Sequence, residues 1–391
     1  MKSEKVIRAT KFVILIGVIS LFSDMTYEAA RSINGPFLLT LGASGTTVGL
    51  VAGLGELLGY GLRFISGYIT DRSKKYWPIL IIGYFLNLFS VPLLAFAGYW
   101  QVAVVLMITE RIGKAIRTPA RDAMLSFGST QMGRGWGFGL HEAMDQVGAT
   151  IGPLLVSSAL FFRNHDYQLA FGILTIPALI ALIVLFYCRF LFPKPEHLEI
   201  KTTAAISKGF PSRFWVYIVA VVFIAAGYVD FPLIAYHFKS AAIMKDPLIP
   251  VFYSIAMASD AFAALIMGKL YDKIGVKVLL AAVLVSLCFA PMVFLGNFYF
   301  ALFGMVLWGI GMGAQESIMK AEIAEIIPAE RRGTAYGTLN TFYGLFWFAG
   351  SAAMGLLYDH SLNGLVIFSV ATQLIAVAVL FYIVRKKKNI K

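Results

Sequence analysis

The stretch ERIGKAIRTPARD, Glu110–Asp122, sets four cations and two carboxylates in thirteen residues of a 391-residue chain that is 59% hydrophobic. Read as a loop, it leaves the membrane and reverses the sidedness of everything after it. Read as a helix, it carries charge into the bilayer. The rest of the sequence decides between these readings.

Charged residues make up only 14% of the chain and mean hydropathy is +0.77, which excludes an ordinary soluble domain and implies a polytopic membrane protein. The start, MKSEKVIRATKFVILIGVISLFSDM, has a basic head and an apolar run, but no small-residue cleavage site follows; it reads as an uncleaved first span. Apolar segments recur at about 11–37, 46–70, 77–97, 101–127, 134–162, 167–190, 213–238, 248–271, 276–295, 298–326, 332–358 and 363–384, twelve in all. Cys188 and Cys288 both fall within apolar runs, so neither a disulfide framework nor a thiolate metal site is suggested.

With both termini in the cytoplasm, the inner segments hold twenty-three Lys and Arg residues, among them Lys2 to Lys11, Arg72 to Lys75, Arg189 to Arg213, Lys269 to Lys277 and Arg385 to Lys391. The outer segments hold three: Arg163, Lys239 and Lys245. This asymmetry fixes an even number of spans. It also accounts for most of the net charge of +12, so nucleic acid is not expected as a partner. Were 110–122 a loop, the later basic segments would all face outward. The stretch therefore belongs to the fourth span, with Glu110, Lys114, Arg117 and Arg121 within about 60° of arc and Arg111 and Asp122 on the flank. Intramembrane charges cost about 2.5–3.5 kcal/mol each; this face must line a polar interior.

The longest polar stretch, 191–212 with Pro193, Pro195 and Pro211, separates six spans (1–190) from six (213–391). The halves also repeat. GYITDRSKK (Gly67–Lys75) matches GKLYDKIGVK (Gly268–Lys277) 201 residues later, and GRGWGFG (Gly133–Gly139) matches RRGTAYG (Arg331–Gly337) at a similar offset. Parallel six-span halves are a transporter architecture.

On these motifs the chain resembles the major facilitator superfamily of secondary transporters along its whole length. The resemblance implies an all-α fold of twelve transmembrane helices in two pseudo-symmetric bundles, working by alternating access. It further implies a cytoplasmic gate at Gly67, Asp71 and Arg72, at Gly268, Asp272 and Lys273, and at the basic Arg134 and Arg332 opening the fifth and eleventh spans. Lys74 departs from the pattern, standing where a Gly is expected. The fifth span, GLHEAMDQVGATIGPLL, is similar to the Gly-rich signature of proton-coupled exporters at Gly139, Gly148, Gly152 and Pro153, with Val156 in place of a further Gly. Close helix packing alone would also call for these glycines. The family's fourth-span pattern of Arg and, four residues on, Gly is met at Arg111 but not at Ala115.

Depth along the spans suggests the chemistry. Asp24, Glu28 and Arg31 share one face of the first span and are expected to meet Arg111 across the cavity; His141, Glu142 and Asp145 reach the level of Arg117 and Arg121. Asp24, Glu28, Glu142 and Asp145 are the candidate proton-binding groups. Arg31, Arg111, Lys114, Arg117, Arg121 and His141 are candidate substrate-cavity residues, and Arg111, Arg117 and Arg121 would tune the carboxylates, since a cavity that alternates between wet and dry changes their proton affinity. A static ion-pair network holding three helices together is the competing reading. In the second half, Asp230, Asp260, Glu316, Asn340 and Trp347 are candidate cavity residues, whereas Glu322 and Glu325 read as solvated groups at the cytoplasmic end. His141, Asp145 and Glu142 could also present three ligands to a divalent metal as cargo.

No phosphate-binding Gly-x-x-x-x-Gly-Lys-Ser/Thr loop and no nucleophile and base pattern is present, so neither an ATP-driven pump nor an enzyme is expected. The sequence calls for no cofactor and no resident metal. The expectation is a monomeric, multi-pass transporter of a bacterial inner membrane, both termini cytoplasmic, with a small organic solute and protons as its partners. Proton-driven export is preferred to proton-coupled uptake of an organic ion.

Overall fold

The computed structural model describes residues 2–132, 134–163, 165–198, 209–327 and 332–388. Among them fifteen α-helices and no strand occur: α1 Lys2–Thr40, α2 Gly45–Ser73, α3 Tyr76–Leu93, α4 Trp100–Met132, α5 Arg134–Phe162, α6 Tyr167–Ile173, α7 Thr175–Leu191, α8 Ser212–Gly227, α9 Phe231–Ser240, α10 Leu248–Ile274, α11 Lys277–Ser286, α12 Phe289–Leu295, α13 Phe298–Ile326, α14 Arg332–His360 and α15 Leu362–Lys388. The pairs α6/α7, α8/α9 and α11/α12 run as single apolar columns, giving the twelve helical columns that hydropathy predicts. Ten of these are apolar and long enough to cross a membrane; the two set apart are α4, which carries the charged stretch, and α14.

Proline chemistry places the breaks. A proline lacks an N–H and its ring crowds the carbonyl four residues before it. Pro177 stands four after Ile173, the end of α6; Pro232 four after Tyr228, just past α8; and Pro291 four after Leu287, between α11 and α12. At the second break Asp230 caps α9, its carboxylate accepting from the Phe231 N–H at 2.9 Å. Pro119, inside the charged stretch, does not break α4. The Ala115 carbonyl that Pro119 deprives of its helical donor accepts instead from the Ser66 hydroxyl of α2, at 2.8 Å.

The chain clusters into two compact units. One comprises 1–37, 58–203 and 246–254; the other 38–57, 204–245 and 255–391. The first has a core of Phe12, Ile16 and Ile19 of α1, Leu80 and Leu88 of α3, Met124 and Leu125 of α4, and Leu182 and Leu185 of α7. Glycines set the helix spacing around it. A Cβ at Gly83 would lie 2.6 Å from the Arg117 backbone nitrogen, so α3 and α4 touch backbone to backbone. Gly148 and Gly152 do the same between α5 and α1, where a Cβ would overlap the carbonyl oxygens of Leu21 and Met25.

The second unit is built around Trp308, Tyr228, Phe231 and Phe289. It contains a seam of small residues: Gly49 of α2 lies against Ser351 and Gly355 of α14, and Gly53 against Ser351 and Phe348. The seam ends where Asp359 accepts from the Gly45 N–H (3.0 Å), the Thr46 N–H (2.7 Å) and the Thr46 hydroxyl (2.6 Å). A carboxylate there satisfies donors that the first turn of α2 cannot pair internally. Asp359→Ala is expected to lower stability by about 1 kcal/mol, with Asp359→Asn losing less. Thermal unfolding in detergent checks this, and equal losses for the two variants would contradict a capping role.

Candidate functional site

The charged face of α4 meets α1 and α5 in a ladder of three ion pairs within the first unit. Lys114 Nζ lies 3.8 Å from Glu28 Oε1, Arg117 Nη2 3.9 Å from Asp24 Oδ1, and Arg121 Nη1 3.6 Å from Asp145 Oδ2. The cations are three and then four residues apart on α4, which puts them on one face; Asp24 and Glu28, four apart, likewise share a face of α1. The glycine contacts of α5 on α1 and of α3 on α4 make the approach close enough for side chains of this length to pair.

Each rung has polar or aromatic support. Arg117, fully buried, donates to the Tyr84 hydroxyl at 3.2 Å and stacks over the Tyr84 ring at 4.5 Å. Lys114 sits 3.9 Å above the Tyr27 ring, a cation–π contact that strengthens when desolvated. Glu28 accepts at its other oxygen from the Tyr253 hydroxyl at 2.6 Å. Arg121 also binds Asp122, Nε to Oδ1 at 2.9 Å. His141 closes the lower rung, with Nε2 2.8 Å from the Ser20 hydroxyl and Nδ1 3.5 Å from Asp145 Oδ2. Above the ladder, Asn87 donates to Glu110 at 2.6 Å, and Glu110 pairs with Arg111 at 3.4 Å.

Glu28 lies within the electrostatic reach of Arg111 and Arg31, in keeping with the expected meeting across the cavity, but the ion pairs themselves fall one to two helical turns further along α4. Glu28 takes Lys114 and Asp24 takes Arg117, because depths reckoned from uncertain span ends carry that much error. Asp145 does face Arg121 as expected. Arg31 is buried on the same side of α1, while Glu142 is exposed. Among the described residues no group of three His, Cys, Asp or Glu side chains could hold a metal ion, so the trio of His141, Glu142 and Asp145 does not converge as a chelating set.

In the second unit, Asp230, a candidate cavity residue, is buried and serves as the α9 cap described above. Asp260 is buried beside Gly313, where a Cβ would approach its Oδ1 to 2.9 Å. Glu316 is exposed and Asn340 half-buried. Trp347 is only 2% exposed, stacks near Tyr343 and Tyr228, and its indole N–H has no hydrogen-bond partner among the described residues. Glu322 is not solvated: it is fully buried, paired with Arg213, and accepts from the Tyr271 hydroxyl at 2.6 Å. The same hydroxyl reaches Glu325, which is exposed, at 2.8 Å.

Of the motif residues between spans, Arg72 is exposed and donates to Tyr68 at 3.0 Å, and Lys273 is exposed. A Cβ at Gly67 would make ordinary contact with Pro119 at 3.6 Å, and one at Gly268 would meet nothing within 4 Å. Asp71, Arg134, Gly139, Asp272 and Arg332 occupy helical positions whose side chains lie outside the described residues. Pro153 is buried inside α5 without ending it.

Tyr27, Tyr84, Asn87 and Tyr253 are members of the site that the sequence reading passed over. Asn87 carried a signal, as a lone amide in an apolar run usually has a buried partner. Tyr253 carried none, because its partner is 225 residues away.

Twelve helical columns, a duplicated plan and a charged ladder buried among apolar helices describe a polytopic transporter. The Major Facilitator Superfamily model matches residues 16–351 and 217–391, and the chain belongs to that superfamily. It is a multi-pass membrane protein and a transporter, not an enzyme. An uncharacterized protein of Mycobacterium tuberculosis is 39% identical over 381 residues, covering 96% of this chain and 93% of that one. An uncharacterized MFS-type transporter of Methanocaldococcus jannaschii is 28% identical over 366 residues, covering 90% and 89%. The crystal structure of the nucleoside transporter NupG superposes with a TM-score of 0.78 at 10% identity, covering 95% of this chain and 99% of that one, a likeness of fold alone.

Proposed function

We propose that this chain is a proton-coupled secondary transporter that exports a small polar or amphipathic organic solute by alternating access. It works as a monomer in a bacterial inner membrane with both termini in the cytoplasm, the orientation that the positive-inside asymmetry supports. The observation that carries the coupling is the ladder. Asp24 and Asp145 are buried against cations, yet Oδ1 of each has no hydrogen-bond partner among the described residues. A buried polar atom left without a hydrogen bond is unusual and calls for an explanation; a proton taken up and given back at these oxygens supplies one. Protonation of Asp24 removes the charge facing Arg117, and protonation of Asp145 removes the one facing Arg121. The freed cation then becomes available to another anion or to water, and the helices that the pair held can shift.

The motifs at Gly67, Asp71, Arg72 and Arg134, and at Gly268, Asp272, Lys273 and Arg332, are the gates in this reading. Room beside Gly67 and Gly268 supports it, since their glycine is not needed for packing here. Export follows from the resemblance of the fifth span to exporters. Uptake of an organic anion with a proton is a second reading, favoured by the partial exposure of Arg111 (14%), Lys114 (19%) and Arg121 (15%), which leaves three cations within reach of a carboxylate or phosphate.

The test uses purified protein in liposomes with an internal pH dye and a panel of organic anions, cations and zwitterions. Solute-driven proton movement is expected in wild type and is expected to fall to background in Asp24→Asn or Asp145→Asn. The direction of the proton relative to the solute separates antiport from symport. Full solute flux with no proton movement in wild type would remove the coupling role from the ladder.

A further inference from the structure

Within the first unit, where α2 stops, α3 starts and α7 stops, lies a cavity of about 580 Å³. Lys74, Lys75 and Arg189 line it, with Trp77 and Phe190 as apolar walls and Glu196 as the one carboxylate. Trp77 holds the mouth in shape by donating its indole N–H to the Phe192 carbonyl at 3.0 Å, which ties the start of α3 to the residue after α7. We infer that this cavity is a binding site for the headgroup of an anionic phospholipid.

Three features converge on a lipid as the occupant. The first is charge: three cations against one carboxylate suit a phosphodiester, and basic pockets beside membrane helices are where anionic headgroups bind. The second is continuity with an apolar track. Phe190, Phe186, Ile183, Leu179 and Ile176 are all exposed on α7, spaced as one stripe that leads from the cavity along the helix. A free phosphate has no use for such a track, whereas acyl chains would follow it.

The third is Lys74 itself. It takes φ +56°, in the left-handed region, and Gly275 of the second repeat takes φ +63°. The repeat offset of 201 residues places one on the other, and the backbone bonds agree: Lys74 N–H donates to Thr70 O at 2.9 Å and Gly275 N–H to Tyr271 O at 2.7 Å. Glycine occupies this conformation freely and other residues do so at a penalty. The first repeat thus keeps a cation where the fold prefers glycine, and that cation lines the cavity.

The experiment is native mass spectrometry of the full chain in detergent, titrated separately with phosphatidylglycerol, phosphatidylcholine and inorganic phosphate. Wild type is expected to retain phosphatidylglycerol in preference to phosphatidylcholine. Each cation removed among Lys74→Gln, Lys75→Gln and Arg189→Gln is expected to weaken retention roughly fivefold. Lys74→Gly, which installs the residue of the second repeat and so preserves folding, is expected to show the same loss singly. Lys194→Gln removes an exposed neighbouring cation that does not line the cavity and is expected to change nothing. The inference falls if Lys74→Gly and the triple variant keep wild-type retention, if phosphatidylcholine is held equally well, or if inorganic phosphate displaces the lipid. Should the triple variant not fold, Lys74→Gly against Lys194→Gln decides the matter.

Discussion

Arg117→Gln is expected to destabilise the folded protein by about 3–5 kcal/mol, the usual consequence of removing one partner from a buried ion pair. Arg117 is the most enclosed cation of the ladder: its side chain is 0% exposed and Asp24 lies 3.9 Å away. The guanidinium also supplies the Tyr84 hydroxyl with a donor and covers the Tyr84 ring. Glutamine is shorter and neutral, so Asp24 would lose the cation that faces it and keep only the neighbouring Lys114 and Arg121. Adding Asp24→Asn to Arg117→Gln is therefore expected to recover part of the loss, because the buried charge that has lost its partner disappears. A double-mutant cycle of unfolding in detergent measures this coupling. Simple additivity of the two single losses would mean that the pair is not an energetic unit, and the ladder would lose its central rung.

Gly148→Leu is expected to be at least as damaging, by a different mechanism. A Cβ at Gly148 would overlap the Leu21 carbonyl oxygen and come within 3.0 Å of the Met25 nitrogen. Both are main-chain atoms of α1, which cannot rotate away as a side chain would. The helices must separate, and Asp24 and Asp145 would lose their registration with α4. Overpacking typically costs about 1–3 kcal/mol and more where the obstacle is main chain that cannot move aside, and a membrane helix pair that depends on close contact has little hydrophobic drive to offset it. Size-exclusion chromatography of the solubilised protein is expected to show no monodisperse peak for this variant. Gly59→Ala and Gly268→Ala, with nothing within 4 Å of the added atom, are expected to elute as wild type. A normal profile for Gly148→Leu would show that α5 does not rest on α1 in this way.

These contacts show what the sequence makes legible. All twelve columns can be read from it, because bilayer length and hydropathy constrain a span strongly. The charged stretch could be assigned to a helix through charge asymmetry before any contact was known. Partner identity was harder. Helical spacing put Asp24 and Glu28 on one face, but which cation each meets depends on axial position to within a turn, and only the glycine contacts fix that. A polar residue such as Asp230 in an apolar run has two uses, and the sequence Asp230-Phe231-Pro232 also marks a helix start, which is the use that the α9 cap shows. Glu322 was misread because its position near a span end suggested water, whereas Arg213 and Tyr271, 109 and 51 residues away in sequence, enclose it. Lys74 was seen only as a departure from a glycine pattern. Its φ shows that the backbone demand behind the pattern is still met, by a residue that meets it with difficulty.

The small-residue seam of the second unit bears on turnover. When leucines or phenylalanines interlock, each re-formed contact demands that several χ angles be found again, and that search loses entropy every time. Gly49, Gly53 and Gly355 have no χ angles, and Ser351 has a short side chain. Parting and rejoining α2 and α14 along this line would thus require little rotamer search beyond the Tyr358 ring beside Gly45, with Asp359 finding the Gly45 and Thr46 donors again. In the proposed alternating-access cycle, the reversibility of that joint would rest on backbones meeting backbones, with a single carboxylate as its catch.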